Sequence, residues 1–226
     1  IRTLEEQRTI YIKPRYGSGG RGITLLRYEG NHVVIQSEST IKSLAIEDLS
    51  ETLSQDFPAD NFVLQPGARV RKYKGACYDI RAMIQNDGTD RYEVTAISVR
   101  VGRKGHWVSN LNSGGDGLAI EALDDHFRQE FGQSASAVVH EVKEISERCV
   151  GPIKDTYGDF AEIALDMLYT VDHGPVILEG NSKPSRWVFN RIAEQHPEGS
   201  PLYDRYKFLR KKTVSLPVLY AQHKLK

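Results

Sequence analysis

From Phe160 to Pro184 the chain reads FAEIALDMLYTVDHGPVILEGNSKP. Two apolar runs of strand-like alternation, broken at Val171-Asp172-His173-Gly174, specify an antiparallel hairpin, because a short glycine-containing break between such runs favours a tight turn. If Thr170 faces Pro175 across a four-residue loop, Asp166 falls directly opposite Glu179. Asn181 lies two residues past Glu179 and leaves the same face of its strand. Like charges opposite one another on a sheet repel, so the placement makes chemical sense where a hard cation lies between them. Oxygen ligands, few of them from protein and with phosphates completing the shell, are the habit of Mg²⁺. A solvated hairpin face that happens to carry acids is the alternative.

Length and charge bound the rest. With 226 residues the chain can bury a core as one large domain or two small lobes. Thirty basic residues balance thirty acidic ones, so no global field draws it to nucleic acid or to a membrane surface, and any basic site is local. Two cysteines, Cys77 and Cys149, make no disulfide framework and have no metal-ligand spacing. Reduced thiols and a cytoplasmic setting are the expectation. No apolar run approaches the roughly 20 residues of a membrane span, and no signal peptide is visible. The sequence begins at Ile1 rather than methionine, which leads us to expect a fragment of a longer protein.

Taken in order, Ile1 to Thr9 reads as a helix end leading into a strand at Ile10 to Lys13. KPRYGSGGRGI follows, with Gly17, Gly19, Gly20 and Gly22 between strands TIYIK and ITLLRYEG. Glycines leave backbone N–H groups free and let the main chain approach a ligand closely. With Lys13, Arg15 and Arg21 flanking them, a polyphosphate is the natural guest, and a plain surface hairpin the alternative. The loop has neither the Walker nor the Rossmann pattern. Helical spacing of Ile46, Leu49, Leu53 and Phe57 predicts a helix over Ser43 to Asp56, and Pro58 ends it. Asn61 to Gln65 is expected as a buried strand that runs into a connector at Pro66-Gly67, dividing the chain into lobes over residues 1–64 and 65–226. Such a connector exposes backbone groups suited to an adenine edge.

The second lobe opens with strands at Tyr78 to Gln85 and Tyr92 to Val101. Asp79 and Arg81 share a face, either as a surface pair worth at most about 1 kcal/mol or with Asp79 fixing the fork of a phosphate-binding Arg81. Arg103, Lys104 and His106 form a solvated cluster, and SNLNSGGDG (Ser109 to Gly117) an irregular loop. Helices are predicted over Leu118 to Phe131 and Ala135 to Cys149, the second stopped by Gly151-Pro152. His126 and His140 are packing or surface residues there. Trp187 to Ala193 begins a short helix, and Pro201 to Lys226 is a basic docking helix.

The order of these signals is more specific than any one of them: KP with a glycine-rich hairpin, a strand ending in a hinge, D-x-R, NL-x-x-GG, then D with E-x-N on a hairpin. That order resembles the ATP-grasp superfamily over essentially the whole chain. YIKPRYGSGGRGI, SVRVG, VSNLNSGGDG, the GNSKPS turn and SLPVLYAQHKL are most similar to its YheC/YheD-like family, described as endospore coat-associated. The resemblance implies an α+β fold of two lobes with antiparallel sheets that hold ATP. It implies that Lys13 and the backbone of Gly17, Ser18, Gly19, Gly20 and Arg21 contact the nucleotide phosphates. By the same resemblance Leu64, Gln65 and Ala68 border the adenine, and Asn110 lies near the phosphates. Arg81 and Arg100 face the γ-phosphate or an acylphosphate, and Asp166, Glu179 and Asn181 bind Mg²⁺. Related enzymes activate a carboxylate as an acylphosphate and let an amine displace phosphate. A catalytically silent, nucleotide-binding coat protein and an ATP-grasp kinase are the other implied functions. The chain departs from many relatives at Pro66, which follows the hinge glutamine, and at Val108, where peptide-ligating relatives carry arginine. ATP-grasp enzymes usually have a further N-terminal domain and a second lysine before the lysine-proline strand, so an ATP-binding core that lacks part of its substrate surface is expected.

Overall fold

The computed structural model describes residues 1–16, 20–89, 91–104, 109 and 114–225. They form two compact units, Ile1–Ala68 and Arg69–Lys226. In the first, α1 (Arg2–Gln7) precedes strands β1 (Thr9–Pro14), β2 (Thr24–Glu29), β3 (His32–Gln36) and β4 (Ile41–Ala45). A short 3₁₀ turn, Ile46–Asp48, leads into α2 (Leu49–Asp56), and β5 (Phe62–Pro66) returns to the sheet. The sheet is antiparallel in the order β4-β3-β2-β1-β5. Alternation drives it: Ile10 and Ile12 on β1 bury with Leu26, Val33 and Ile35, and Leu4 and Leu49 from the two helices close that core.

Two expectations for this unit are corrected. The helix predicted from Ser43 starts only at Leu49, because Ile41–Ala45 pairs with β3 in register, Ala45 opposite His32 and Ile41 opposite Gln36. The Asn61 to Gln65 stretch is an edge strand rather than a buried one. It pairs on one side with β1, and Leu64 is 62% exposed. Pro66, which has no N–H to give a ladder, is tolerated at such an edge. Leu64 and Gln65 therefore belong to the first unit's sheet, and the chain enters the second unit after Ala68.

The second unit begins with β6 (Tyr78–Asn86) and β7 (Tyr92–Val101), then β8 (Asp116–Leu118), a 3₁₀ turn at Ile120–Leu123, and helices α3 (Asp124–Phe131) and α4 (Ala135–Tyr157). The hairpin β9 (Glu162–Thr170) and β10 (Gly174–Asn181) precedes α5 (Trp187–Ala193) and α6 (Pro201–Lys224). Its sheet order is β10-β9-β6-β7-β8, so β6 is central, and every one of its residues is buried. One face carries Ile80, Ala82 and Ile84, with Val99, Leu165 and Met167, against Leu123 and Phe127 at α3 and Val138 and Val142 of α4. The opposite face changes character along the strands. Met83, Ala96 and Ala164 lie under Val188, Phe189, Ile192 and Tyr206 of α5 and α6, while two residues back along β6 the same face carries Arg81 and then Asp79.

The helix expected from Leu118 starts at Asp124, since Leu118 ends a strand paired to Val99. The stop expected at Gly151-Pro152 also fails: α4 runs through both residues to Tyr157 and ends at Gly158, whose φ of 80° suits glycine. Its buried stripe of Val138, Val142 and Ser146 is already packed by then, and tertiary packing outweighs the local cost of one interior proline. The same device recurs in α6. Pro217 cannot donate to the carbonyl four residues back, and that freed Thr213 oxygen instead accepts from Gln85 Nε2 at 2.7 Å and from Arg186 Nη2 at 3.1 Å.

Candidate functional site

A β-bulge sets the geometry of the candidate site. Thr170 pairs with Gly174, not Pro175, and the register holds to Ile177 opposite Met167. One residue, Leu178, is then inserted, and Glu179 pairs with Asp166. The expected opposition of the two acids is present, but it comes from a shorter loop plus the bulge. Without that bulge Leu178 would oppose Asp166 and Glu179 would turn to the other face, since a one-residue slip inverts every side chain beyond it. Asp166 also pairs with Arg81 on β6, and Arg81 with Ser98 on β7. Glu179, Asp166, Arg81 and Ser98 thus form a row across four strands, with Asp79 opposite Arg100 in the next row of that face.

The contacts are short and mutual. Arg81 grips Asp166 with both prongs, Nε to Oδ1 at 2.7 Å and Nη2 to Oδ2 at 2.8 Å. Arg100 grips Asp79 in the same way, at 2.6 and 2.8 Å, and its Nη2 also reaches Asp166 Oδ2 at 2.8 Å. Ser109 donates its hydroxyl to Asp79. Asp79 therefore fixes Arg100 rather than Arg81, because hairpin neighbours across the ladder are closer than residues two apart on one strand. All four charged side chains are buried, Asp166 completely, and two of each sign balance. Glu179 is exposed at the rim and hydrogen-bonds to Asp166.

Burial works to raise the Asp166 pKa, but the Arg81 bonds and the Arg100 charge outweigh it and hold the carboxyl below its ordinary range. At Asp79 burial dominates and pushes the carboxyl up against the pull of Arg100. Burial likewise opposes the charge on Arg100, yet Asp79 and Asp166 raise its pKa and keep it a cation. Asn181 pairs with Ala164, two residues from Asp166 on the same face, and its Oδ1 accepts from the Lys183 N–H at 3.1 Å, an Asx turn that orients the amide.

The donor set suits a hard cation. Glu179, Asp166 and Asn181 offer only oxygen, and two carboxylates in hydrogen-bond contact want a proton or a cation between them. Among the described residues no group of three or more His, Cys, Asp or Glu side chains is placed to hold a metal. The set here has two acids and an amide. A cavity of about 570 Å³ opens elsewhere in this unit, beside Glu130, Glu141 and Tyr169. None of the predicted site residues lines it, and its acidic wall is poorly suited to phosphate.

In the first unit, Lys13 lies near the end of β1, and Arg15 N–H is anchored to Asn61 O at 2.8 Å. Gly20 and Gly22 have φ of 72° and 73°, and a Cβ on Gly22 would come within 3.1 Å of Pro14, so Gly22 sits close against the lysine-proline strand. Arg21 is exposed. Gly17, Ser18 and Gly19, and Asn110 with most of its loop, lie outside the described residues. Leu64, Gln65 and Ala68 lie on and just after the β5 edge. Sequence reasoning missed Ser98 and Ser109. Ser98 is fully buried opposite Arg81, and its hydroxyl has no hydrogen-bond partner among the described residues. Only the β6–β7 register, shifted by an unforeseeable irregularity at Met83/Ile84, could have exposed it.

Two antiparallel sheets with flanking helices, and a row of acids and arginines across the second, define an α+β protein of ATP-grasp type. Residues 1–222 match the YheC/D-like ATP-grasp family, and the chain belongs to it. It is 24% identical over 199 residues to the endospore coat-associated protein YheC of Bacillus subtilis (strain 168), covering 86% of this chain and 54% of that protein. It is also 24% identical over 225 residues to the endospore coat-associated protein YheD of the same organism, covering 92% of this chain and 47% of that one. The chain spans about half the length of these relatives. Among the described residues no helix is long and apolar enough to cross a membrane.

Proposed function

We propose that this chain is the nucleotide-binding part of an ATP- and Mg²⁺-dependent carboxylate–amine ligase that works through an acylphosphate. The observation that carries the reading is the pair of buried guanidiniums, Arg81 and Arg100, each held bidentate by a carboxylate beside an all-oxygen donor set. Fork-shaped donors suit phosphoryl oxygens, and Arg100, whose plane Asp79 fixes, is aligned in advance, which removes the cost of ordering it during reaction. Lys13 and the Gly17 to Arg21 backbone take the nucleotide phosphates. Leu64, Gln65 and Ala68 take the adenine, and Asn110 is assigned to the phosphates on the family resemblance alone. Asp166, Glu179 and Asn181 hold Mg²⁺, which when bound neutralises phosphate charge. Arg81 and Arg100 then stabilise charge on the phosphoryl group as a carboxylate oxygen displaces ADP, and an amine next displaces inorganic phosphate. No side-chain nucleophile is required.

ADP release against panels of acids and amines tests this. Asp166→Asn with Glu179→Gln abolishes turnover on this reading, and unchanged turnover refutes the metal assignment. The names of the two relatives favour a second reading, a nucleotide-binding coat-associated protein without catalysis. Calorimetric ATP binding with no ADP formed under any substrate mixture selects it.

A further inference from the structure

We infer that Arg81 competes with a divalent ion for Asp166, so that a divalent ion taking that carboxylate releases the Arg81 guanidinium to a phosphoryl group. The inference rests on the metal assignment proposed above and adds this competition to it. Both oxygens of Asp166 are already engaged, Oδ1 by Arg81 Nε at 2.7 Å and Oδ2 by Arg81 Nη2 and Arg100 Nη2, each at 2.8 Å. A dication added to this arrangement would meet two guanidiniums on one carboxylate, inside a cluster whose buried charges already balance. At buried sites that repulsion is weakly screened.

The two arginines are not equivalent. Arg100 keeps two bonds to Asp79 whatever happens at Asp166, so it stays in place. The Arg81 bonds from Nε and Nη2 both end on Asp166, which makes Arg81 the group that a metal displaces. The hydroxyl of Ser98, opposite Arg81 in the ladder and without a hydrogen-bond partner among the described residues, supplies an acceptor for a released prong. Metal alone then binds weakly, because it must evict a cation. An incoming polyphosphate gives that cation a new partner, so metal and phosphate favour each other's binding. Arg81 thereby couples the two ligands and keeps a bare metal ion from occupying the site.

The test is Mn²⁺ binding to the whole chain at pH 7.5, read by titration calorimetry and by the loss of the free-ion electron paramagnetic resonance signal, with no nucleotide present. Arg81→Met removes the competing cation and leaves three carboxylates, Asp79, Asp166 and Glu179, facing Arg100. Mn²⁺ is expected to bind at least tenfold more tightly than to wild type. Arg81→Lys, a single-pronged cation, is expected to fall between them and serves if the methionine variant does not fold. If Arg81 merely orients Asp166 for the metal, both variants bind Mn²⁺ more weakly than or equally to wild type, and the inference is overturned. Wild-type chain that binds neither Mn²⁺ nor a non-hydrolysable ATP analogue overturns the proposed function as well. Wild-type chain that binds both, with no tightening in either variant, overturns the inference alone.

Discussion

Asp79→Asn isolates the contribution of the buried arginine clamp. The substitution keeps the shape, removes the charge, and aims an NH₂ group at a guanidinium that needs an acceptor. Breaking a buried ion pair from one side costs about 3–5 kcal/mol. Arg100 here keeps its 2.8 Å bond to Asp166, and the asparagine oxygen still accepts one of the two prongs. Each bond to a charged group contributes about 1.5–3 kcal/mol, so we expect a loss of about 2–3 kcal/mol. For a unit of this size, where 1 kcal/mol moves the midpoint by roughly 2–4 °C, the second unit's thermal transition falls by about 4–12 °C. The double variant Asp79→Leu/Arg100→Met removes both charges. Apolar replacement of a whole buried pair is often neutral or stabilising, so it recovers most of that loss while weakening binding of an ATP analogue at least tenfold. Scanning calorimetry and urea midpoints read the stability, and analogue titration reads the binding. A loss under about 0.5 kcal/mol for Asp79→Asn, or a double variant less stable than it, refutes the energetics assigned to the clamp.

Arg186→Met removes the bonds that hold the proline-freed Thr213 carbonyl, the Pro184 carbonyl and the Glu162 carboxylate together, and we expect urea unfolding to report a loss of about 2–3 kcal/mol, where under 1 kcal/mol would show that Gln85 satisfies Thr213 alone. His126 packs edge-on against Tyr73, Tyr78 and Phe131 with a buried Nε2 that has no hydrogen-bond partner among the described residues, and burial lowers its pKa from the ordinary 6.5. A base with a depressed folded pKa loses stability as pH falls through its unfolded value toward the folded one. Wild type therefore weakens below pH 6.5 relative to His126→Phe, and parallel urea midpoints for the two from pH 8 to pH 5 contradict the assignment.

Which parts of this fold were legible follows from how far along the chain each signal reaches. The β6 and β7 strands and the late hairpin announce themselves by uninterrupted apolar alternation, and the short helix from Trp187 by its position after an exposed turn. Residues 41–48 misled because Ile46, Leu49, Leu53 and Phe57 share a helical stripe that starts before the helix does; the ladder to β3 takes the preceding segment. Gly151-Pro152 misled because a local breaker was weighed against local propensity alone, whereas α4 is held by a sheet formed from strands on both sides of it in sequence. At the site, residue identities were readable but partnerships were not. Asp79 and Arg81 lie two apart in sequence, yet Asp79 binds Arg100 at a separation of 21 and Arg81 binds Asp166 at 85. Such pairings depend on strand order, and on bulges that leave no mark in composition.

The buried charges are better explained by function than by stability. One face of the second sheet packs against α3 and α4 in a buried apolar core, and α5 and α6 close the apolar half of the other. A continuation of Met83, Ala96 and Ala164 by further apolar residues would have extended that layer at no electrostatic cost. Instead β6, β7 and β9 place Arg81, Arg100, Asp79 and Asp166 there, desolvated and balanced in sign, with Glu179 brought to their rim by a one-residue bulge. Buried ion pairs give little net stabilisation over apolar packing. What they provide is direction: the guanidinium planes of Arg81 and Arg100 are set by Asp166 and Asp79. A sheet whose opposite face is a complete hydrophobic core can carry that cluster, because the strands' positions do not depend on it.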